Sequence, residues 1–260
     1  MVAKFDPAKV LPPGDPLTLT LLRLMLATDD ARHASMLFVM ADQQVRTTTG
    51  TQQTLYGGQM WYLFRMLCSH LKEGGDALTT LLNSVSRDRL KALLKGRPDA
   101  EAALGRLRSA FGKEAFITKI RHSIGSHYQQ ADIKQVYEAD LAAGRVDGSL
   151  VACQVGGLSR FTITDVLALR LMDEAAGADL ATGGEEFAER GGEVTAITED
   201  LTTFVGHVVD ALLEQHGVQA TKDTIEVPAL LREARDRLEQ ERAAAAKTEP
   251  CFCGYRHGSG

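Results

Sequence analysis

Apolar residues along this chain recur at intervals of three and four, and hardly anywhere at intervals of two. The cleanest stripe in the first half is Met60, Leu63, Phe64, Leu67 and Leu71; a second is Ile197, Leu201, Phe204, Val205, Val208 and Leu212. Such spacing stacks one side chain per turn on a single face, as an amphipathic helix requires. The punctuation agrees. Asp15-Pro16 reads as an N-cap followed by proline at the first helical position. Leu17, Leu21, Leu24, Met25, Met36, Leu37 and Met40 then fit one long helix, or two if the polar stretch from Asp29 to His33 divides it, with a break from Thr47 to Gly50. Gly74-Gly75 is expected to interrupt the Met60 stripe, which resumes with Leu78, Leu81, Leu82 and Val85. A shorter helix carries Leu90, Leu93 and Leu94 and is stopped by Gly96 with Pro98 beyond; another carries Leu104, Leu107 and Phe111 and stops at Gly112.

Phe116, Ile117, Ile120 and Ile124 mark the next helix, and Ile133, Val136, Tyr137 and Leu141 one that ends at Gly144. Residues 150–163 are the only β-looking stretch: two apolar runs flank Gly156-Gly157, which suits a small hairpin or an extended loop. Thr164 then caps a helix through Met172. A glycine-rich patch (Gly177, Gly183, Gly184, Gly191, Gly192) separates it from the Ile197 stripe, which ends near Gly217. After Pro228 the chain is charged and alanine-rich to Lys247. The expected fold is all-α. Its expected organisation is a leader (1–15), a helical domain (16–176), additional helices packing on or extending the bundle (177–246), and a cysteine-containing tail (247–260).

Composition narrows this picture. A chain of 260 residues can bury a sizeable core in one large domain or one domain with an appendage. The most apolar run, Leu17 to Ala27, contains Arg23 and is about half as long as a membrane span must be, and the first residues lack the apolar stretch of a signal peptide. The expected location is the cytoplasm, with no membrane partner. A net charge of −5 argues against a surface that coats nucleic acid indiscriminately, while leaving room for a local basic cleft. Cys68 and Cys153 sit singly in apolar stretches, as buried free thiols do.

Candidate chemistry concentrates in Arg121-His122-Ser123-Ile124-Gly125-Ser126-His127-Tyr128. On a helix, Ile120, Ile124 and His127 follow one another at steps of four and three, so His127 falls on the apolar stripe. Arg121 lies roughly 120° and about 9 Å of rise away, a gap a guanidinium arm partly closes. A fixed cation that forks onto phosphate oxygens, beside an imidazole that titrates near neutrality, suits phosphodiester chemistry. Spacing alone does not decide the matter. A histidine on an apolar stripe is more often a satisfied core residue, and a second pair, Arg65 and His70, occurs in the earlier helix.

The segment Arg121-His122-Ser123-Ile124-Gly125-Ser126-His127 resembles the motif of the HEPN superfamily: arginine, a polar residue, a few further residues, then histidine. Trp61-Tyr62-Leu63-Phe64-Arg65-Met66-Leu67, continuing through His70-Leu71-Lys72-Glu73, is similar to the preceding long helix of abortive-infection members. The similarity runs loosely from Pro16 to Met172 and is specific only in these two helices. Two departures stand out: Ser126 occupies a position where an aromatic often precedes the histidine, and no tyrosine follows two places after His127. The resemblance implies a HEPN-type helical bundle and a metal-independent endoribonuclease of bacterial stress response, toxin–antitoxin or phage-defence systems. Arg121 would grip the scissile phosphate and His127 would act as general acid or base, with the ribose 2′-hydroxyl as nucleophile. His122, Tyr128, Arg65, His70 and Glu73 would support the cleft. It further implies RNA as substrate, a homodimer, and an antitoxin or defence-system partner protein, with no cofactor. The other expectation is a non-catalytic HEPN-like module that binds RNA or protein. At the far end, Cys251-Phe252-Cys253-Gly254 with His257 resembles the opening of a SEC-C zinc motif whose closing half is missing. Three ligands fall short of the four a structural zinc site wants, so no metal is expected there.

Overall fold

The computed structural model describes residues 5–112, 116–121, 130–144, 150–152, 159–161, 167–173 and 184–218. In chain order these form α1 (Pro7–Val10), α2 (Pro16–Thr47), α3 (Gly50–Asn83), α4 (Arg87–Leu94), α5 (Pro98–Ala110), α6 (Phe116–Ile120), α7 (Gln130–Ala142), strands β1 (Leu150–Ala152) and β2 (Ser159–Phe161), α8 (167–173) and α9 (Gly184–Gln215). The expected all-α class holds, and the two strands form the small hairpin, pairing antiparallel with Leu150 opposite Phe161 and Ala152 opposite Ser159.

Helix α2 starts where Asp15 and Pro16 say it should. The Asp15 carboxylate accepts a hydrogen bond from the Leu17 amide at 3.0 Å, satisfying one of the donors a helix N-terminus leaves open. Arg89 of α4 pairs with the same carboxylate. The polar stretch at 29–33 does not divide the helix; α2 runs unbroken for 32 residues. Its inward face there is narrow, made of Ala27, Thr28, Ala31 and Ala34, and the Thr28 hydroxyl is spent on the Leu24 carbonyl at 2.7 Å. Small inward residues let neighbouring helices come close.

Helix α3 turns back antiparallel to α2 and is also unbroken. The interruption expected at Gly74-Gly75 is absent because both glycines lie on the packed face, where other elements need the space. A Cβ on Gly74 would sit 2.9 Å from Leu201 Cδ2, and one on Gly75 2.7 Å from Phe111 Cγ. Similarly, Gly191 and Gly192 do not precede the last helix but belong to it, and the Gly191 backbone packs against the Phe38 ring. Glycine does break the chain where φ is positive. Gly96 (φ 79°) follows α4 and Gly217 (φ 67°) follows α9, both as the sequence predicts.

Helices α2, α3 and α9 make the trunk. α9 runs in the same direction as α3: Phe187 packs on Trp61 and Phe64, and Leu201 reaches Gly74. α5 lies antiparallel to α9, held by Arg106 on Asp200 (2.5 and 2.8 Å) and Arg97 on Glu214 (2.5 Å). Phe38, Trp61, Phe64 and Phe187 form an aromatic nest with centroid separations of 4.1 to 6.4 Å, mostly tilted or edge-on. One continuous core takes in residues of α2 through α9. Among the described residues no helix is long and apolar enough to cross a membrane.

Candidate functional site

Helix α6 is short and deeply seated. Phe116, Ile117 and Ile120 are buried, which delivers the next residue, Arg121, to the edge of α3. There the Arg121 Nη2 reaches Glu73 Oε1 at 3.4 Å. The other oxygen of Glu73 accepts from Arg23 Nη2 of α2 at 3.0 Å. One carboxylate thus joins three elements, with two guanidinium groups on it and one net positive charge left over.

Glu73 responds to this company. The hydrogen bond from Arg23 draws its carboxyl below the usual glutamate range; partial burial opposes that, and Arg121 adds to the lowering. The Arg121 side chain is about three-quarters covered, at 26% exposure, whereas Glu73 (44%) and Arg23 (52%) remain half open. The corner is therefore wet at its rim and sheltered at Arg121.

His70 lies one turn before Glu73 on the same side of α3. Its Nδ1 stands 3.8 Å from Asp30 Oδ2 of α2, an ion pair only when the imidazole is protonated. Arg65 is displaced from both. Five residues before His70, it points roughly 140° away on an ideal helix, and its guanidinium lies 5.9 Å from the centroid of Tyr62. The Arg65–His70 pair accordingly does not form a common site. Of the residues singled out in the sequence, Arg121 and Glu73 are brought together, His70 is nearby, and Arg65 is apart. His122, His127 and Tyr128 lie outside the described residues, as do Cys153, Cys251, Cys253 and His257.

Arg23 and Asp30 were not singled out in the sequence, yet they complete the pairs on Glu73 and His70. The signal lay in the hairpin: measured from the turn at Thr48-Thr49, Arg23 and Glu73 are nearly equidistant, as are Asp30 and His70. Cys68, one turn from Arg65 and fully buried, is the free thiol expected; burial pushes its pKa up strongly, with the Glu193 carboxylate adding to the effect. Arg190 of α9 pairs with Glu193 at 2.8 Å and covers the Phe116 ring at 5.1 Å, bolting α6 to α9.

Two surface depressions lie elsewhere. One of about 300 Å³ opens between α2 and α9 beside Phe38, Asp42, Phe187 and Glu199, and another of about 300 Å³ lies beside Arg89, Leu93 and Glu214. Neither is lined by Arg121, Glu73 or His70. Among the described residues no three His, Cys, Asp or Glu side chains converge as metal ligands. Comparison of the chain with protein-family models, with curated proteins and with solved structures finds no match in any of the three.

Proposed function

We propose that the chain is a HEPN-type endoribonuclease, in which Arg121 holds the scissile phosphate and His127 moves the proton. The observation that carries this reading is the motif itself, Arg121-His122 followed by His127, with its arginine seated at a sheltered corner of net positive charge. In such a corner a phosphate competes with Glu73 for guanidinium donors and gains from the second cation, Arg23. The chemistry is self-contained. The ribose 2′-oxygen attacks phosphorus, the 5′-oxygen leaves, a proton passes from the 2′-hydroxyl to a base and another is delivered to the leaving oxygen. The products are a 2′,3′-cyclic phosphate and a 5′-hydroxyl. Glu73 positions Arg121, and His70 is a neighbour of that arrangement. A role in bacterial stress response or phage defence, with a second copy of the chain and an antitoxin-like partner, belongs to the same reading.

One observation favours a second reading. Arg121 is already engaged by Glu73, which suits a helical module that binds RNA or protein without cleaving it. Incubation of the purified protein with mixed RNA in EDTA separates the two. The wild type should cleave, His127→Ala should lose roughly 100-fold or more of the rate, as expected for removal of a general acid or base, and Arg121→Ala should lose a similar amount while keeping its helical circular dichroism. Equal cleavage by wild type and His127→Ala would mark a contaminant and sink the catalytic reading. RNA binding without cleavage establishes the second.

A further inference from the structure

Six of the large apolar side chains that remain exposed belong to one helix: Leu19, Leu22, Leu26, Met36, Leu37 and Met40 of α2, at 39 to 67% exposure. They lie opposite the face that Leu17, Leu21, Leu24, Ala31 and Phe38 turn into the core. Apart from Leu37, they fall with Asp29 and His33 on alternating steps of three and four: 19, 22, 26, 29, 33, 36, 40. That is the seam of a two-helix pairing, carried by a helix already packed on its other side.

The order of residues in the seam says what it pairs with. It reads nearly the same in both directions from Ala31: Leu22 and Met40 stand nine residues to either side, Leu26 and Met36 five, Asp29 and His33 two. Only Leu19 breaks the match, its counterpart being Gln43. We propose that α2 is the dimerisation helix of this protein, packing antiparallel on the α2 of a second copy about a twofold axis at Ala31. In that register Leu22 meets Met40 and Leu26 meets Met36 at both ends, and the Asp29 carboxylate of each copy meets His33 of the other. A parallel pairing would instead set Asp29 on Asp29 and His33 on His33. An unrelated partner helix has no reason to require the palindrome. The paired stretch from Leu22 to Met40 is about 27 Å long.

The polar centre is built for this. His33 Nδ1–H donates to the Asp29 carbonyl of its own helix at 2.9 Å, which orients the ring; in the imidazolium form Nε2–H is then the donor left for the carboxylate across the axis. Arg32, the exposed residue just before His33, adds positive charge beside the seam. Asp30, the remaining acid of the stretch, is drawn toward His70 of α3. A single polar layer in an apolar seam costs stability and fixes register, since every other register buries these groups without their partners. Arg23 and Asp30 of α2 serve the Glu73 and His70 pairs on the flank of the helix, whereas the pairing rests on the outward seam and does not depend on the ribonuclease reading.

Sedimentation equilibrium of the full chain from about 1 to 100 μM tests the pairing, a span that covers ordinary homodimer affinities. The wild type should be a dimer, and Leu26→Glu with Met36→Glu should weaken it about 100-fold or more while leaving helicity intact. Asp29→Arg alone and His33→Asp alone should each weaken it about tenfold, and the two combined should restore it to within about threefold, because the exchanged charges meet again across the axis. A wild type that stays monomeric at 100 μM overturns the proposal, as does a dimer indifferent to Leu26→Glu/Met36→Glu. Failure of the charge exchange to restore pairing overturns the antiparallel register. A monomer in which Leu26→Glu loosens residues 219–260 to protease would assign the face to the chain's own tail, and that also overturns it.

Discussion

Replacing Gly75 by alanine tests whether α3 is continuous because of what packs against it. In an open helix the change would stabilise by about 1 kcal/mol, since glycine is the poorer helix former by that amount. Here the new methyl would lie 2.7, 2.8 and 3.1 Å from Cγ, Cδ1 and Cδ2 of Phe111. Ordinary carbon contacts begin near ~3.5 Å, so the ring must retreat by about 0.8 Å. It cannot do so by swinging its tip, because the three atoms are the root of the ring. The backbone beneath is fixed too: Phe111 caps α5, its amide donating to the Leu107 carbonyl at 3.0 Å. Overpacking of this kind costs about 1–3 kcal/mol. Set against the gain in helix propensity, Gly75→Ala should destabilise by up to about 2 kcal/mol and should not stabilise.

Two neighbouring substitutions calibrate the measurement. Gly105, exposed in the middle of α5 with nothing within 4 Å of its missing Cβ, should give the full stabilisation of about 1 kcal/mol as alanine. Gly74→Ala crowds only the tip of Leu201, Cδ2 at 2.9 Å, with Ala27 Cβ at an ordinary 3.7 Å; that tip can turn, and the change should come out near neutral. Urea unfolding followed at the helical circular-dichroism band reads all three, with an unchanged slope as the check that only stability moved. The double variant Gly75→Ala/Phe111→Leu should recover part of the loss. If Gly75→Ala stabilised as Gly105→Ala does, the Phe111 contact would have no energetic weight and the packing account of α3 would be wrong.

Glu73→Gln should destabilise by less than about 1 kcal/mol at neutral pH, because its partners are only partly shielded from water. Its carboxyl is held below the ordinary range, so the contribution is present above the usual glutamate pKa of about 4.3 and fades as pH falls through the lower folded value. Urea titrations should show the wild type and Glu73→Gln converging in acid; a gap that widens on acidification contradicts the sign. Cys68, fully buried with its thiol pKa pushed up, should resist iodoacetamide in the native protein and react once urea unfolds it. Peptide mapping that finds Cys68 alkylated under native conditions would show that its cover opens readily.

Most helices were legible because burial on one side writes itself into the sequence at steps of three and four. The glycine pair at 74–75 misled because propensity and packing pull oppositely there, and propensity is the weaker term. The phase held the correct answer. Leu71 and Leu78 are seven residues apart, so the stripe never loses register across the glycines, as it would across a real break. Gly191 sits in phase between Phe187 and Val194 in the same way, and it too lies against a ring, that of Phe38. A glycine that keeps the beat of an apolar stripe is a contact, and one that ends it is a stop.

The candidate site was legible as a set of residues and not as an arrangement. Arg121 and Glu73 were both singled out, but what joins them is the depth at which α6 enters the bundle, and no local spacing encodes that. Arg23 was invisible for a related reason: it belongs to α2, whose apolar residues occur on two opposite faces. A helix apolar all round reads as one buried on all sides. In α2 the second face instead points away from the core, interrupted only by Asp29 and His33. Those two polar residues make the stretch look like a break between helices when read along the chain. Read around the helix, they fall on the outward seam at its midpoint. A seam needs a polar pair there only if something meets it in one register, and the symmetry about Ala31 says that what meets it is the same helix reversed.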